Sequence, residues 1–402
     1  LMETRKLPYP FYVCLIMVCI TWGCQKRTGI PQSISDDDTV TAPNKIDSNL
    51  YTLSEPGGQD TGEIFLSINT NSNTIGNLLI LDQKGYIIKE KKLNSRADDF
   101  QKWVINGQTR YSYLLVDGTD TTGGPATEEG YDVICDSNLN ELSRAKFLSP
   151  GNVDNPDNDK LDVHDFILLG DNHYMAISDQ EESPTNIPDS LHPAKNVKVT
   201  ACLIQEVNNG QVVFQWDGTN YPELYSSSVE NNNFTDSVDR LDYMHMNSLF
   251  IDSSDNNIIV SFRNLNEIIK INRVTGNIMW RLGGPYSDFP LTADELFLRQ
   301  HYVRLIDKDQ TLIFVDNGQI TLRPYSRILE FQLDQNAKQI NSFSAYNIPD
   351  NFVQYAGSVK KANGSYFIGG GSANYALQVN YTTNEVYLRL NQLYSSYRAI
   401  KY

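Results

Sequence analysis

Residues 240–284 read RLDYMHMNSLFIDSSDNNIIVSFRNLNEIIKINRVTGNIMWRLGG. Four short runs rich in β-branched and aromatic residues, NSLFID, NIIVSFR, EIIKINR and NIMWRLG, are separated by the turn-forming words SSDN, NLN and VTG. This is the pattern of a four-stranded antiparallel unit. The next unit repeats it as YVRLIDK, TLIFVDN, RILEFQLD and QINSFSAY, and another follows as GSVKKAN, SYFIGGG, YALQVNY and EVYLRLN. Upstream, DFILLG, HYMAISD, TACLIQEVN and VVFQWDG make a further unit with long polar inserts, and residues 100–148 and 62–93 supply two less regular ones. About six such units at this spacing predict an all-β fold, a single β-propeller over residues 61–402. No 3.6-residue apolar period lies between the strands, so a stack of βαβ units is excluded; a pair of β-sandwiches is the weaker alternative. The C-terminal SSYRAIKY would complete the first blade, which is short of a strand.

The bulk composition fits such a domain. Hydrophobic residues make up 40% and aromatics 11% of 402 residues, enough for a large core. The net charge of −16 repels nucleic acid and anionic lipid, so neither is an expected partner, and any anion site needs its own local cations. Arg5 and Lys6 precede PFYVCLIMVCI and then TWGC, ending at Cys24. A basic start, an apolar run too short to span a bilayer and a small residue before a cysteine predict a lipoprotein-type signal peptide over residues 1–24. Residues 25–60 lack apolar periodicity and read as a flexible tether. The expected location is therefore outside the cytoplasm, in the periplasm or at the outer membrane, held through a lipid on Cys24. Beyond the signal region only Cys135 and Cys202 remain. One bridge between them or two buried thiols are both open, and no CxxC pair suggests zinc.

The chain has only five histidines. Three of them open the first strand of a unit: His164 in VHDFILLG, His245 in MHMNSLFID and His301 in RQHYVRLID. First strands line the channel of a propeller, so these three should meet at its mouth. Arg263 ends the second strand of the His245 unit. That strand runs antiparallel to the first, which places the guanidinium on the same rim. His173 and His192 fall in a second strand and a polar loop and carry no assigned role. A fixed guanidinium opposes a metal cation, whereas imidazoles and an arginine fork together suit a tetrahedral oxyanion. No metal and no cofactor is expected. Histidine can also exchange protons near neutrality and act as a nucleophile.

The words DYMHMNS, SFRN, GNIMWRLGG, RQHYVR, FVDNG, YSRILEF and VHDF resemble those of the bacterial arylsulfate sulfotransferases of the ASST type, in the same order. The resemblance covers roughly residues 160–392, with weaker agreement from about residue 62. It implies sulfuryl transfer from a phenolic sulfate ester to a phenol without a nucleotide donor. It also implies His301 as the nucleophile that carries the sulfuryl group, with His245 and Arg263 on its oxygens and His164 as a further active-site histidine. The rival reading is a surface-anchored propeller that binds an anionic or sulfated ligand without catalysis, since one fold serves many functions. The stretch NRVTGNIMWRLGG also resembles the tryptophan docking repeat of quinoprotein dehydrogenases. Only NNGQVVFQWDG echoes it, so Trp280 and Trp216 are read as packing residues between blades. The Asp/Asn-rich NVDNPDND lacks the spacing and glycine of a calcium loop and reads as a solvated loop. Mass spectrometry of protein from the native membrane should find a mature chain starting at a lipidated Cys24; a mature chain starting elsewhere rules the anchor out.

Overall fold

The computed structural model describes residues 44–402, apart from 58–59, 71–73, 121–126, 156–157, 308–309 and 350–351. The signal peptide and most of the tether, and part of NVDNPDND, lie outside the described residues. The described chain forms six antiparallel sheets arranged as propeller blades. Blades II to V each use four strands consecutive in sequence. Blade II is Ala97–Ile105, Gln108–Asp120, Thr127–Cys135 and Glu141–Ala145. Blade III is Phe166–Gly170, His173–Glu182, Val199–Asn208 and Gln211–Asp217. Blade IV is Met246–Ile251, Ile258–Phe262, Glu267–Ile271 and Ile278–Gly283. Blade V is His301–Ile306, Thr311–Asp316, Arg327–Asp334 and Gln339–Asn347.

The other two blades close the ring with both ends of the described chain. Blade I takes Ile64–Thr70, Ile75–Leu81 and Ile87–Lys92 from the start of the domain and Ala399–Lys401, as its innermost strand, from the end. The sequence-based expectation for SSYRAIKY is met. Blade VI is Ser358–Ala362, Ser365–Gly369, Tyr375–Asn380 and Val386–Gln392. Tyr51–Pro56, within the stretch read as tether, adds a fifth strand along Val386–Gln392. Its few apolar residues hid it from a periodicity test, yet Tyr51 is fully buried and its hydroxyl donates to the Gly85 carbonyl at 2.9 Å. Among the described residues the only α-helix is Pro222–Ser227.

Turn chemistry fixes where each blade ends. The third strand of every blade ends in or is followed at once by Asp or Asn: Asp82, Asp136, Asn208, Asn272, Asp334 and Asn380. In five of the six the side chain accepts from backbone N–H groups two to four residues on, as when Val274 and Thr275 donate to Asn272 Oδ1 at 3.0 and 2.8 Å. Such a side chain stands in for the lost ladder partner and turns the chain into the outer strand. In blade III, Asn209 and Gly210 at φ 49° and 73° make the tight turn instead.

The core is six apolar clusters, each between two neighbouring blades. Strand alternation feeds two of them at once: Ile258, Val260 and Phe262 face blade III, while Ile259 faces blade V. Trp216 and Trp280 are both almost fully buried in such clusters, Trp216 stacked on Tyr221 at 5.1 Å and Trp280 edge-on to Phe289 at 5.5 Å. Cys135 and Cys202 are free thiols in different clusters, which settles the open alternative against a bridge. Trp280→Ala should lower the unfolding free energy by roughly 3–5 kcal/mol, as for other buried aromatics. Denaturant titration measures it, and a loss below about 1 kcal/mol would mean that blade V collapses into the space.

Candidate active site

The three histidines named from the sequence meet at one mouth of the channel. Ring centroids of His164 and His245 lie 4.9 Å apart, and those of His164 and His301 5.9 Å. All three side chains are buried and line one cavity of about 630 Å³ with Arg263. The expected antiparallel placement is direct: the Arg263 N–H donates to the His245 carbonyl at 2.9 Å. His173 instead pairs with Glu206 on the flank of blade III, and His192 sits in a surface turn. Among the described residues no group of three or more His, Cys, Asp or Glu side chains is arranged to hold a metal.

The backbone that presents these groups is irregular where it reaches the mouth. The first strands of blades II, IV and V each lose register with the second strand there. Each has a non-glycine residue in the left-handed region at or beside the break: Asp99 at φ 50°, His245 at 53° and Tyr302 at 56°. A bulge of this kind re-aims side chains that regular pleating would point into the blade interface.

Each histidine has its Nδ1 occupied, which leaves Nε2 for chemistry. His164 Nδ1 donates to Asp162 at 2.7 Å and His245 Nδ1 to Asp242 at 2.6 Å. His301 Nδ1 donates to the Gly357 carbonyl at 2.9 Å. Gly357 adopts φ 95°, which a side chain would strain, and a Cβ there would lie 3.1 Å from the Gly369 carbonyl. Burial holds the His301 pKa well below the usual imidazole range, and Arg398 and His164 add to the fall. A neutral ring with its proton on Nδ1 has its lone pair on Nε2, where the Tyr397 hydroxyl donates at 3.0 Å. That hydroxyl has a second acceptor, the His164 carbonyl at 3.2 Å.

Arg263 is mostly buried. Its Nη1 donates to Glu230 at 3.1 Å and to Asn264 at 2.5 Å, and no acceptor among the described residues takes its Nε–Nη2 edge. That edge is the fork that fits two oxygens of one anion. Beneath the histidines Arg398 and Arg304 share the Asp165 carboxylate at 3.2 and 3.0 Å, and Arg398 also donates to Asp99 at 2.8 Å.

Sequence reasoning missed several of these groups. Asp162 and Asp242 precede their histidines by two and three residues, so the words DVH and DYMH did carry a signal: a carboxylate close enough in sequence to reach Nδ1. Arg299, two residues before His301, also lines the cavity and was visible in RQH. Tyr397 and Arg398 had no such signal. They are 96 residues or more from the nearest of the three histidines and reach the axis only because the C-terminal strand closes the ring.

A family model described as Arylsulfotransferase (ASST) matches residues 37–400. A search of curated proteins found no match. Among solved structures, a protein of unknown function from Bacteroides caccae is 10% identical, with 85% of this chain and 99% of that chain covered and a TM-score of 0.43. A nidogen/laminin complex is 8% identical, covering 85% and 98% with a TM-score of 0.44. The Cps50 (Swd1) β-propeller domain of Myceliophteria thermophila is 7% identical, covering 85% and 90% with a TM-score of 0.42. At these scores the structural likenesses carry no argument about activity.

The depressed His301 pKa sets a sign for acid stability. Below about pH 6.5 the unfolded chain takes up a proton that the folded ring refuses, so folding loses up to ~1.4 kcal/mol per pH unit from this group as pH falls. Above that pH its contribution is complete. Equilibrium unfolding at pH 5 to 7 should show this slope in the wild type and its loss in His301→Asn; parallel profiles would mean that the folded ring takes up a proton as readily as the unfolded one.

Proposed function

The chain belongs to the arylsulfotransferase family, and from that premise we propose that it moves a sulfuryl group from a phenolic sulfate ester to a phenol through a sulfohistidine on His301. The observation that carries this reading is the His301 environment: a buried ring, kept neutral, with its only proton on Nδ1 and its lone pair aimed into a cavity beside an arginine fork. A nucleophile must be unprotonated to attack, and neither metal nor nucleotide is required for this chemistry.

In the first half-reaction the Tyr397 hydroxyl swings from His301 Nε2 to the His164 carbonyl, which uncovers the lone pair. Nε2 attacks sulfur in line, the S–O bond to the aryl oxygen breaks, and the phenolate leaves. A phenol with a pKa near 10 is a far better leaving group than an alcohol. The ring keeps its Nδ1 proton and becomes a sulfo-imidazolium zwitterion, whose positive charge the Gly357 carbonyl faces. The Arg263 fork, His245 and His164 meet the three equatorial sulfuryl oxygens, where preorganised donors act on charge as it shifts. His164 or His245 enters as the imidazolium, paired through Nδ1 with its carboxylate, and gives its Nε2 proton to the departing phenolate oxygen. In the second half-reaction the same group takes the proton of the acceptor phenol, whose oxygen attacks sulfur while the N–S bond breaks and His301 returns to neutral.

Asp162 and Asp242 support both steps, because a carboxylate on Nδ1 holds the tautomer and balances an imidazolium when Nε2 gains a proton. Splitting one transfer into two covalent steps predicts ping-pong kinetics. With p-nitrophenyl sulfate and a phenol acceptor, His301→Ala should abolish both half-reactions. Arg263→Ala should slow turnover by about 10²–10³-fold, as for loss of an oxyanion donor. Undiminished transfer by His301→Ala would refute the assignment, and no transfer by the wild type from any phenolic sulfate would leave the non-catalytic binding propeller as the better account.

A further inference from the structure

Arg263 shares its carboxylate with a second arginine. Arg299 Nε and Nη2 donate to Glu230 Oε1 and Oε2 at 2.6 and 2.9 Å, a bidentate fork, while Arg263 reaches Oε2 with Nη1 alone. The geometry divides the labour: Arg299 spends its fork on Glu230, whereas Arg263 keeps its fork for the cavity. Both guanidiniums line the cavity and Glu230 lies behind them. The Arg299 backbone is anchored at φ 54°, with its N–H donating to Asn266 Oδ1 at 2.8 Å. Glu230 is partly buried; although burial alone would raise its pKa, the Arg299 and Arg263 guanidiniums hold it below the usual carboxylate range.

Two guanidiniums against one carboxylate leave one net positive charge. Without Arg299 the Glu230 carboxylate would face Arg263 alone, and that pair would sum to zero next to the oxyanion. In a chain of net charge −16, a neutralised fork has little left with which to attract a donor. Without Glu230 the two cations would repel, and their orientation would be lost with the shared acceptor.

We propose that Glu230 and Arg299 are positioning residues that set the charge of the sulfuryl site: Glu230 fixes the Arg263 fork, and Arg299 cancels the cost of that carboxylate, so that the triad presents a single net positive charge to a monoanionic ester. This rests on the sulfuryl-transfer reading for the identity of the ligand but not for its own test.

The test uses two non-transferable probes of the same shape and different charge, benzenesulfonate, a monoanion, and benzenephosphonate, a dianion at alkaline pH. Neither can donate its group, so binding by calorimetry does not depend on turnover. Arg299→Gln should weaken benzenesulfonate binding about tenfold or more, while Arg299→Lys, which keeps the charge, should stay within about threefold of wild type. Adding Glu230→Gln to Arg299→Gln should restore part of the loss, because the uncompensated carboxylate is gone while the amide oxygen at position 230 still accepts from Arg263 Nη1. Glu230→Gln alone raises the triad from one positive charge to two and should shift preference toward the phosphonate by several-fold. Thermal melts of each variant separate these effects from unfolding. A double variant that binds as weakly as Arg299→Gln, or a Glu230→Gln protein with unchanged preference, overturns the proposal. Absence of sulfuryl transfer in wild type with these binding shifts intact would instead count against the reaction alone.

Discussion

Closure of the ring is the constraint on which the site depends. The closing strand is three residues long, and its pairs are Ile64 with Lys401, Phe65 with Ile400 and Leu66 with Ala399. So short a ladder holds little by itself, and side chains reinforce it. The Lys401 ammonium reaches Asp60 and Gln378, and the Ser358 hydroxyl donates to the Ala399 carbonyl at 2.6 Å. Those contacts tie blade I to blade VI, and both of the closing chain segments are then committed. The two residues just before the strand, Tyr397 and Arg398, are thereby carried to the axis. Tyr397 covers the His301 lone pair, and Arg398 contributes to the depressed His301 pKa while pinning Asp99 and Asp165. Ring closure thus governs the electrostatics of His301, which lies nearly a hundred residues away in sequence.

What the sequence discloses follows from the range of each interaction. The six blades are legible because nearly all their strands are consecutive in sequence and local turn chemistry ends each, with an Asp or Asn at or just after every third strand. The placement of His164, His245, His301 and Arg263 is legible for the same reason, since one antiparallel hairpin decides it. Glu230 is not. It lies in the long connection between blades III and IV, and nothing local marks it as the acceptor for guanidiniums 33 and 69 residues further on. Tyr51–Pro56 is also hidden, because a strand added to the outside of an existing blade needs little apolar character of its own.

The charge pattern resolves an apparent conflict between a strongly acidic chain and a cavity proposed to take an anion. Arginine, histidine and neutral polar side chains line most of the cavity, with Val163 and Ala356 beside them, and among the described residues no Asp or Glu does. The carboxylates stand one step back, at Nδ1 of His164 and His245 and behind Arg263 and Arg299. In that position they orient the cationic and imidazole groups without meeting the ligand. Burial makes the arrangement demanding, because a carboxylate left without its partner in such a site is expensive. It also makes the arrangement effective, since the low local dielectric strengthens what the remaining donors do.

Backbone strain separates the folding machinery from the chemical machinery. Left-handed residues in the turns are mostly asparagine or glycine, which adopt that conformation at little cost. At the channel mouth the left-handed residues include Asp99, His245, Arg299 and Tyr302 at φ near 50°, the last three with larger side chains than those of the turns. Each such residue costs of the order of 1–3 kcal/mol and persists only where its surroundings over-determine it. Here they do: His245 is held by Asp242, Arg299 by Glu230 and Asn266, and Asp99 by Arg398. The apolar clusters between blades supply the stability that offsets the strain, and the strain lets segments at the starts of blades II, IV and V aim polar side chains toward the channel mouth. A propeller built only from regular strands would leave that mouth lined by backbone and alternate side chains, with no cluster to act.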